Sequence, residues 1–349
     1  MADPRVRELV LAHGWNTTCY QILNPGIRHW FSQEREAVIG YVLRRGVRVV
    51  AGAPVCAEAD ICAVLDEWHA DADRSRQNVC YFGAEDRLRN AVGDQEGYST
   101  VALGAQPVWK PGAFPLAVQG DAKLRYQLAR ARNKGVSVEE WPAEKGDDPA
   151  LWRIIESWLG SRGLPALHFL VEPETLCHLL DRRLFVALHK GEPVGFVVMT
   201  PIPARDGWLT EQFPRNPGAP NGTIDLTLAV ATQTVGDDMV TMGIVPLSQR
   251  APSPEDAPAW LRGAMRWARA HGRRFYDWEG LDRYKNKFHP DHWESIYAVS
   301  REERFSPRTM VAIGEAFAGR GFLPAFGGAL AWAVRREARQ AGESWRKEG

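Results

Sequence analysis

The stretch Asp277–Tyr297, DWEGLDRYKNKFHPDHWESIY, is the most informative part of this 349-residue chain. Leu281, Tyr284 and Phe288 recur at i, i+3 and i+7, a spacing that predicts a helix with one apolar stripe. Glu279, Arg283, Lys285 and Lys287 crowd its other faces, and Pro290 stops it. An acid at the start, clustered cations and the flanking Trp278 and Trp293 suit neither a core element nor a plain solvated face. A helical ion pair such as Glu279–Arg283, spaced i, i+4, would leave the same pattern.

Outward from this segment the chain reads as mixed α/β. Val6–His13 has helical spacing. Ala37–Leu43 and Arg48–Ala53 read as strands around an Arg44–Gly46 turn. Ile61–Ala72 is an amphipathic helix. Asn78–Gly83, Tyr98–Leu103 and Val108–Trp109 read as strands. Lys123–Lys134 is a helix with Leu124, Leu128 and Ala131 on one face and Gly135 as its stop. After Pro142–Pro149 come helices at Leu151–Leu159 and Leu176–Leu180. A hairpin follows at Leu184–His189 and Pro193–Thr200. Thr223–Val230 starts a strand or helix, Met239–Val245 is a strand, Ala259–Ala270 a helix and Arg274–Trp278 a strand. The two halves share one order of elements without a sequence repeat, which is compatible with two copies of one α/β fold.

The bulk numbers narrow the function. A chain of this length predicts two domains. Forty-three basic and 43 acidic residues cancel, so any contact with nucleic acid must come from a local patch. No run of ~18 apolar residues suggests a transmembrane helix. MADPRVRELVLAHG lacks the apolar core of a signal peptide. Five cysteines without paired spacing point to reduced thiols and a cytoplasmic location. The histidines show no zinc-ligand spacing, so no metal is expected.

Three further stretches carry candidate chemistry. Lys123, Arg125, Arg130, Arg132 and Lys134 lie in a run with no acid from Ala122 to Val138. A solvated face usually mixes both signs, whereas clustered cations form a footprint for phosphates. RNPGAPNGTID, Arg215–Asp225, has two prolines and two glycines that impose specific turns. MGIVPL, Met242–Leu247, reads by itself as a core strand.

Taken together, these motifs resemble those of the soluble synthase domain of bacterial phosphatidylglycerol lysyltransferases (the multiple peptide resistance factor family, with stand-alone members such as the valanimycin seryl transferase). Gly280, Leu281, Tyr284, Lys285, Lys287, Phe288, Pro290, Trp293 and Glu294 match one signature. Arg130–Gly135, Asn221–Asp225 and Met242–Leu247 match others. The likeness covers roughly Gly14 to Tyr297. It implies tandem GNAT-like acyltransferase units joined by a basic helix: an N-terminal unit at 1–120, the linker helix at 121–145 and a catalytic unit at 146–349.

The resemblance also implies an aminoacyltransferase with aminoacyl-tRNA as co-substrate and no other cofactor. Glu279, Arg283 and Asp225 would be catalytic, with Asp225 holding the aminoacyl ammonium and Glu279 handling a proton or binding that ammonium. Arg283, Lys285 and Lys287 would hold the terminal adenosine phosphate or an oxyanion. Trp278 and Trp293 would flank the aminoacyl group or adenine. Asn221 and Thr223 would bind substrate, as would Met242 and Gly243 on a splayed strand that exposes amides. Arg125, Arg130, Arg132 and Lys134 would meet tRNA.

Two features favour a small-molecule acceptor over a lipid head group. No basic amphipathic anchor helix stands out, and ATQTVGDD replaces a helix and longer connector between Leu226 and Val240. The alternatives are a peripheral aminoacyl-phosphatidylglycerol synthase at the inner membrane surface and an acyl-CoA-dependent N-acyltransferase. The CoA reading lacks support in SQRAPSPEDAP, Ser248–Pro258, which has no glycine for a pyrophosphate cradle. A non-catalytic tRNA-binding or partner-binding module is a further reading.

Overall fold

Two tight turns set up the sheet. Arg45 and Gly46 take φ of 50° and 73°, and Lys190 and Gly191 take 55° and 84°. Two successive left-handed residues match the twist of the strands they join, so each pair closes a hairpin. The computed structural model describes residues 3–93, 96–110, 112, 114–160, 168–173, 175–236, 239–252, 257–271 and 277–318.

In chain order the elements begin with α1 (Pro4–His13), β1 (Arg28–Phe31), β2 (Val38–Arg44), β3 (Val47–Ala51), α2 (Ile61–Arg74) and β4 (Asn78–Ala84). Next come α3 (Asp86–Val92), β5 (Ser99–Trp109), α4 (Phe114–Gly120), α5 (Ala122–Asn133), β6 (Val136–Trp141) and α6 (Pro149–Gly160). Then follow β7 (Arg183–His189), β8 (Glu192–Ile202), β9 (Gly207–Gln212), α7 (Thr223–Val235), β10 (Met239–Thr241) and β11 (Val245–Pro246). The described chain closes with α8 (Ala259–His271), α9 (Trp278–Asn286), β12 (His292–Ser300) and α10 (Pro307–Ala318).

The strands form one 12-stranded sheet in the order β1-β2-β3-β4-β12-β5-β10-β9-β8-β7-β6, with β11 also on β5. Two pairs are parallel, β3 with β4 and β9 with β10. Each parallel pair requires a crossover, which α2 supplies in the first half and α7 in the second. This is the repeated order of elements expected from the sequence. Hydrogen bonds run across the expected unit boundaries. β12, late in the chain, lies between β4 and β5, and β5 pairs with β10.

Alternation along the strands sorts the helices onto two faces. Val108 and Met239 pack in the cluster that receives α1, α8 and α10 through Val6, Leu261 and Ile313. Their neighbours Trp109 and Val240 pack on the opposite side with Leu124 and Leu128 of α5, Leu228 of α7 and Phe288 after α9. The basic helix α5 and the helix α8 are therefore on opposite faces of the sheet.

Several expectations change. The two strands foreseen at Tyr98–Leu103 and Val108–Trp109 are one strand, because antiparallel pairing with β12 continues through Gly104, Ala105, Gln106 and Pro107 between them. Leu176–Leu180 holds only a short 3-10 turn, Thr175–His178. Ala231–Val235 does not replace a helix but forms the end of α7. The expected strand Arg274–Trp278 falls largely outside the described residues, and Trp278 itself begins α9.

Candidate functional site

Asp225 sits in the first turn of α7, buried, and among the described residues its two side-chain bonds are both on Oδ1. The Tyr284 hydroxyl donates to it at 3.0 Å and Lys287 Nζ at 2.7 Å. The Lys287 ammonium also lies 4.1 Å from the Tyr284 ring centroid, and that ring stacks on Phe213. Burial, reinforced by the Asp225 charge, raises the Tyr284 hydroxyl well above its ordinary value. It therefore stays protonated and remains a donor.

Lys285, one residue from this cluster, points elsewhere. Its Nζ donates to the carbonyls of Met242, Gly243 and Ile244 at 2.7, 2.8 and 3.0 Å. The side chain is buried, and desolvation lowers the ammonium to about 7 against an opposing pull from Asp282. An ammonium has three N–H groups, and three carbonyls take all of them. The role expected for Lys285 at a phosphate or oxyanion is thus corrected: its donors are already engaged by backbone.

This clamp explains a second correction. Met239–Val245 is not one strand but β10 and β11 with a break at 242–244. Three successive carbonyls turned to one side cannot keep the alternation of a ladder. Gly243 takes φ of 69°, and its amide donates to Thr241 Oγ1 at 3.1 Å. In a planar trans peptide the amide opposes its carbonyl, so the Ile244 amide points away from Lys285. β10 pairs with β9 only as far as Thr241, and the chain leaves that ladder at the break. Met242 and Gly243 meet Lys285 through their carbonyls.

The basic helix is joined to the same place. Asp121 caps α5 by accepting from the Lys123 and Leu124 amides, and His289 Nε2 lies 2.8 Å from its other oxygen. Trp109 Nε1 donates to the Phe288 carbonyl, and Asp291 accepts from the Lys110 amide. Gly222, at the start of α7, approaches α5 so closely that an added Cβ would lie 2.7 Å from the Gln127 carbonyl. Lys123, Arg125, Arg130, Arg132 and Lys134 are all exposed, as is Tyr126 at 66%.

The family-model comparison matches residues 7–300 to phosphatidylglycerol lysyltransferase, C-terminal. The chain belongs to this family. Within it, the LysX protein of lysylphosphatidylglycerol biosynthesis from Mycobacterium sp. (strain JLS) is 26% identical over 320 residues. That alignment covers 82% of this chain and 27% of the relative, so the chain spans about a quarter of the relative's length. L-PGS from Bacillus licheniformis has the same fold, with a TM-score of 0.76 at 21% identity over 91% of this chain and 97% of that one. The DUF2156 C-terminal domain from Agrobacterium fabrum also scores 0.76, at 19% identity over 91% and 98%. FemX scores 0.55 at 10% identity over 86% and 96%. The fold is the tandem GNAT-like one.

Other expected residues of this phosphatidylglycerol lysyltransferase-family site are more dispersed. Asn221 is exposed beside α7. The buried Thr223 hydroxyl donates to the Pro220 carbonyl, so it braces its loop rather than facing a substrate. Glu279 and Arg283 are exposed on α9, while the polar cluster forms from Asp225, Tyr284 and Lys287. Trp278 begins α9. Trp293 lies under the Arg250 guanidinium at 4.4 Å, and Asp282 holds that arginine.

Sequence reasoning missed a second polar cluster on the other face. Arg205 bonds Glu85 at 3.0 Å and Glu294 at 2.5 Å, and stacks over Trp15. Gln106 donates to Thr17 and Glu294. These residues come from distant stretches of chain, and nothing local marks Arg205 among 43 cations. Burial outweighs Arg205 and pushes Glu85 up to about 7 from 4.5. The folded state therefore binds more protons than the unfolded one between these values, and stability falls as pH rises through that window. The Glu85→Gln variant is expected to lose this slope, on the order of 3 kcal/mol, in urea melts at about pH 5 and about pH 7.5. An unchanged slope would remove Glu85 as its source.

Proposed function

We propose that the chain transfers an aminoacyl group from aminoacyl-tRNA to a hydroxyl on the head group of an anionic phospholipid of the phosphatidylglycerol type. The observation that carries this reading is the seating of α5, whose exposed charged side chains are all basic, with its opposite, buried face against the start of the helix bearing Asp225. Phosphates held along α5 would bring an acceptor end toward a carboxylate, as transfer from a charged tRNA requires.

The chemistry is an ester exchange. The acceptor oxygen attacks the aminoacyl carbonyl, the bond to the ribose oxygen breaks, and the proton of the attacking hydroxyl ends on that ribose oxygen. Asp225 holds the α-ammonium through Oδ2, which accepts no bond among the described residues. Lys287 and Tyr284 fix the carboxylate. Lys285 keeps the strand splayed beside it.

Two observations support a lipid over a small-molecule acceptor. The α7 helix is complete through Val235, and α8 is a basic helix with an exposed tryptophan. Both features weaken the sequence argument for a soluble acceptor, which drew on a replaced helix after Leu226 and on the lack of a basic anchor helix. The CoA reading loses further support. Ser248 and Arg250 tie the loop after β11 to Asp282 of α9, and a cradle would instead lead its amides onto a helix start.

The test incubates the protein with a mixture of charged tRNAs, phosphatidylglycerol vesicles and a polar metabolite extract. Mass spectrometry then follows both fractions. Aminoacyl-lipid is expected. Aminoacylated product in the polar fraction alone would replace the acceptor, and full retention of every charged tRNA would end the proposal. Arg130→Glu with Arg132→Glu is expected to raise KM for tRNA at least tenfold. The salt slope should drop by about two, because each phosphate contact releases about one counterion.

A further inference from the structure

Helix α8 has three distinct sides. Leu261 and Met265 pack into the core beneath the sheet. Arg262 and Arg266 are exposed, and Trp260 is 41% exposed on another part of the surface. At 100° per residue, positions 262 and 266 fall on one side of the buried stripe and position 260 on the other. The sequence Ala257–Tyr276 holds five arginines and no acid. Among the described residues no helix is long and apolar enough to cross a membrane.

We propose that the exposed side of α8 docks on an anionic lipid surface, lying in the plane of the head groups. This rests on the lipid-acceptor reading and names the surface from which that acceptor would be drawn. Charge complementarity selects a polyanionic partner. Trp260 then selects lipid over nucleic acid: an indole exposed on the flank of the helix across from the guanidinium groups suits the boundary between head groups and acyl chains, where its ring is apolar and its N–H wet. The arginine stems run along the apolar boundary and keep their charges among the phosphates. The other basic helix, α5, is on the opposite face of the sheet, so one polyanion lying on α5 does not also cover α8.

The experiment is co-sedimentation of the full chain with vesicles of phosphatidylglycerol or of phosphatidylcholine, without tRNA. Binding to the anionic vesicles only, weakening with salt, is expected. One arginine near such a surface contributes about fivefold in partition, so Arg266→Glu should weaken binding about 25-fold. Trp260→Ser, a change at an exposed position, should also weaken binding while sparing the fold.

Both variants should keep turnover on short-chain phosphatidylglycerol dispersed below its aggregation limit. If the variants bind vesicles like the parent, or lose tRNA binding instead, the docking proposal is overturned. The same holds if the parent binds no vesicles yet modifies the short-chain lipid. Vesicle binding by α8 without any lipid turnover would support docking and refute the acceptor.

Discussion

Lys285→Met is expected to abolish most aminoacyl transfer, by at least about 100-fold, while lowering stability by only about 1–3 kcal/mol. Two opposing effects decide the stability figure. The variant strands the carbonyls of Met242, Gly243 and Ile244 without their donor. A buried acceptor left without a partner costs about 1–3 kcal/mol. Against that, removing the ammonium relieves the desolvation that lowers it to about 7. Stability therefore changes less than three lost bonds suggest.

Activity has no such compensation, because the freed carbonyls are no longer turned to one point and the break between β10 and β11 loses its shape. Lys285→Arg should fail as well. A planar guanidinium fans its donors in one plane and cannot converge them on three successive carbonyls. Transfer from charged tRNA and urea unfolding measure the two effects. A methionine variant within about threefold of parental turnover would show that the clamp is not needed.

Asp225→Asn should lower turnover by about 100-fold to 1000-fold, with its main signature in substrate discrimination. The parent is expected to reject N-acetyl-aminoacyl-tRNA, whose blocked nitrogen carries no charge for Asp225 to hold. The asparagine variant should handle blocked and free donors alike. Its stability loss should be about 1–2 kcal/mol, because Lys287 is 27% exposed and water recovers part of the broken pair. Side-by-side kcat/KM for the two donors decides the matter. Undiminished discrimination in Asp225→Asn would move the ammonium site elsewhere.

Most elements were legible because their signals are local. The period of Leu124, Leu128 and Ala131 marks α5, and Gly135, with φ of 80°, marks its end. The hairpins were legible from their turns. β12 was harder. Its alternation in WESIYAVS is readable, but the segment was taken up in a motif read for its charges. Its place between β4 and β5 joins residues about 200 positions apart. α8 was read as a helix, yet its Trp260 and arginines announced a surface only once the buried stripe was known.

The motifs around Asp225, Met242–Leu247 and Tyr284–Phe288 are matched along the chain, so family and fold were within reach of the sequence alone. The same holds for the charge of α5, since composition along one helix needs no partner to be counted. What each cation does was decided by tertiary structure. Lys285 and Lys287 are two positions apart on one helix turn and look equivalent in sequence. Successive positions on a helix turn by 100°, so one ammonium reaches three carbonyls of a broken strand and the other reaches Asp225. Donor geometry and burial separate a clamp from a candidate ligand contact, and both depend on neighbours about 40 to 60 residues away.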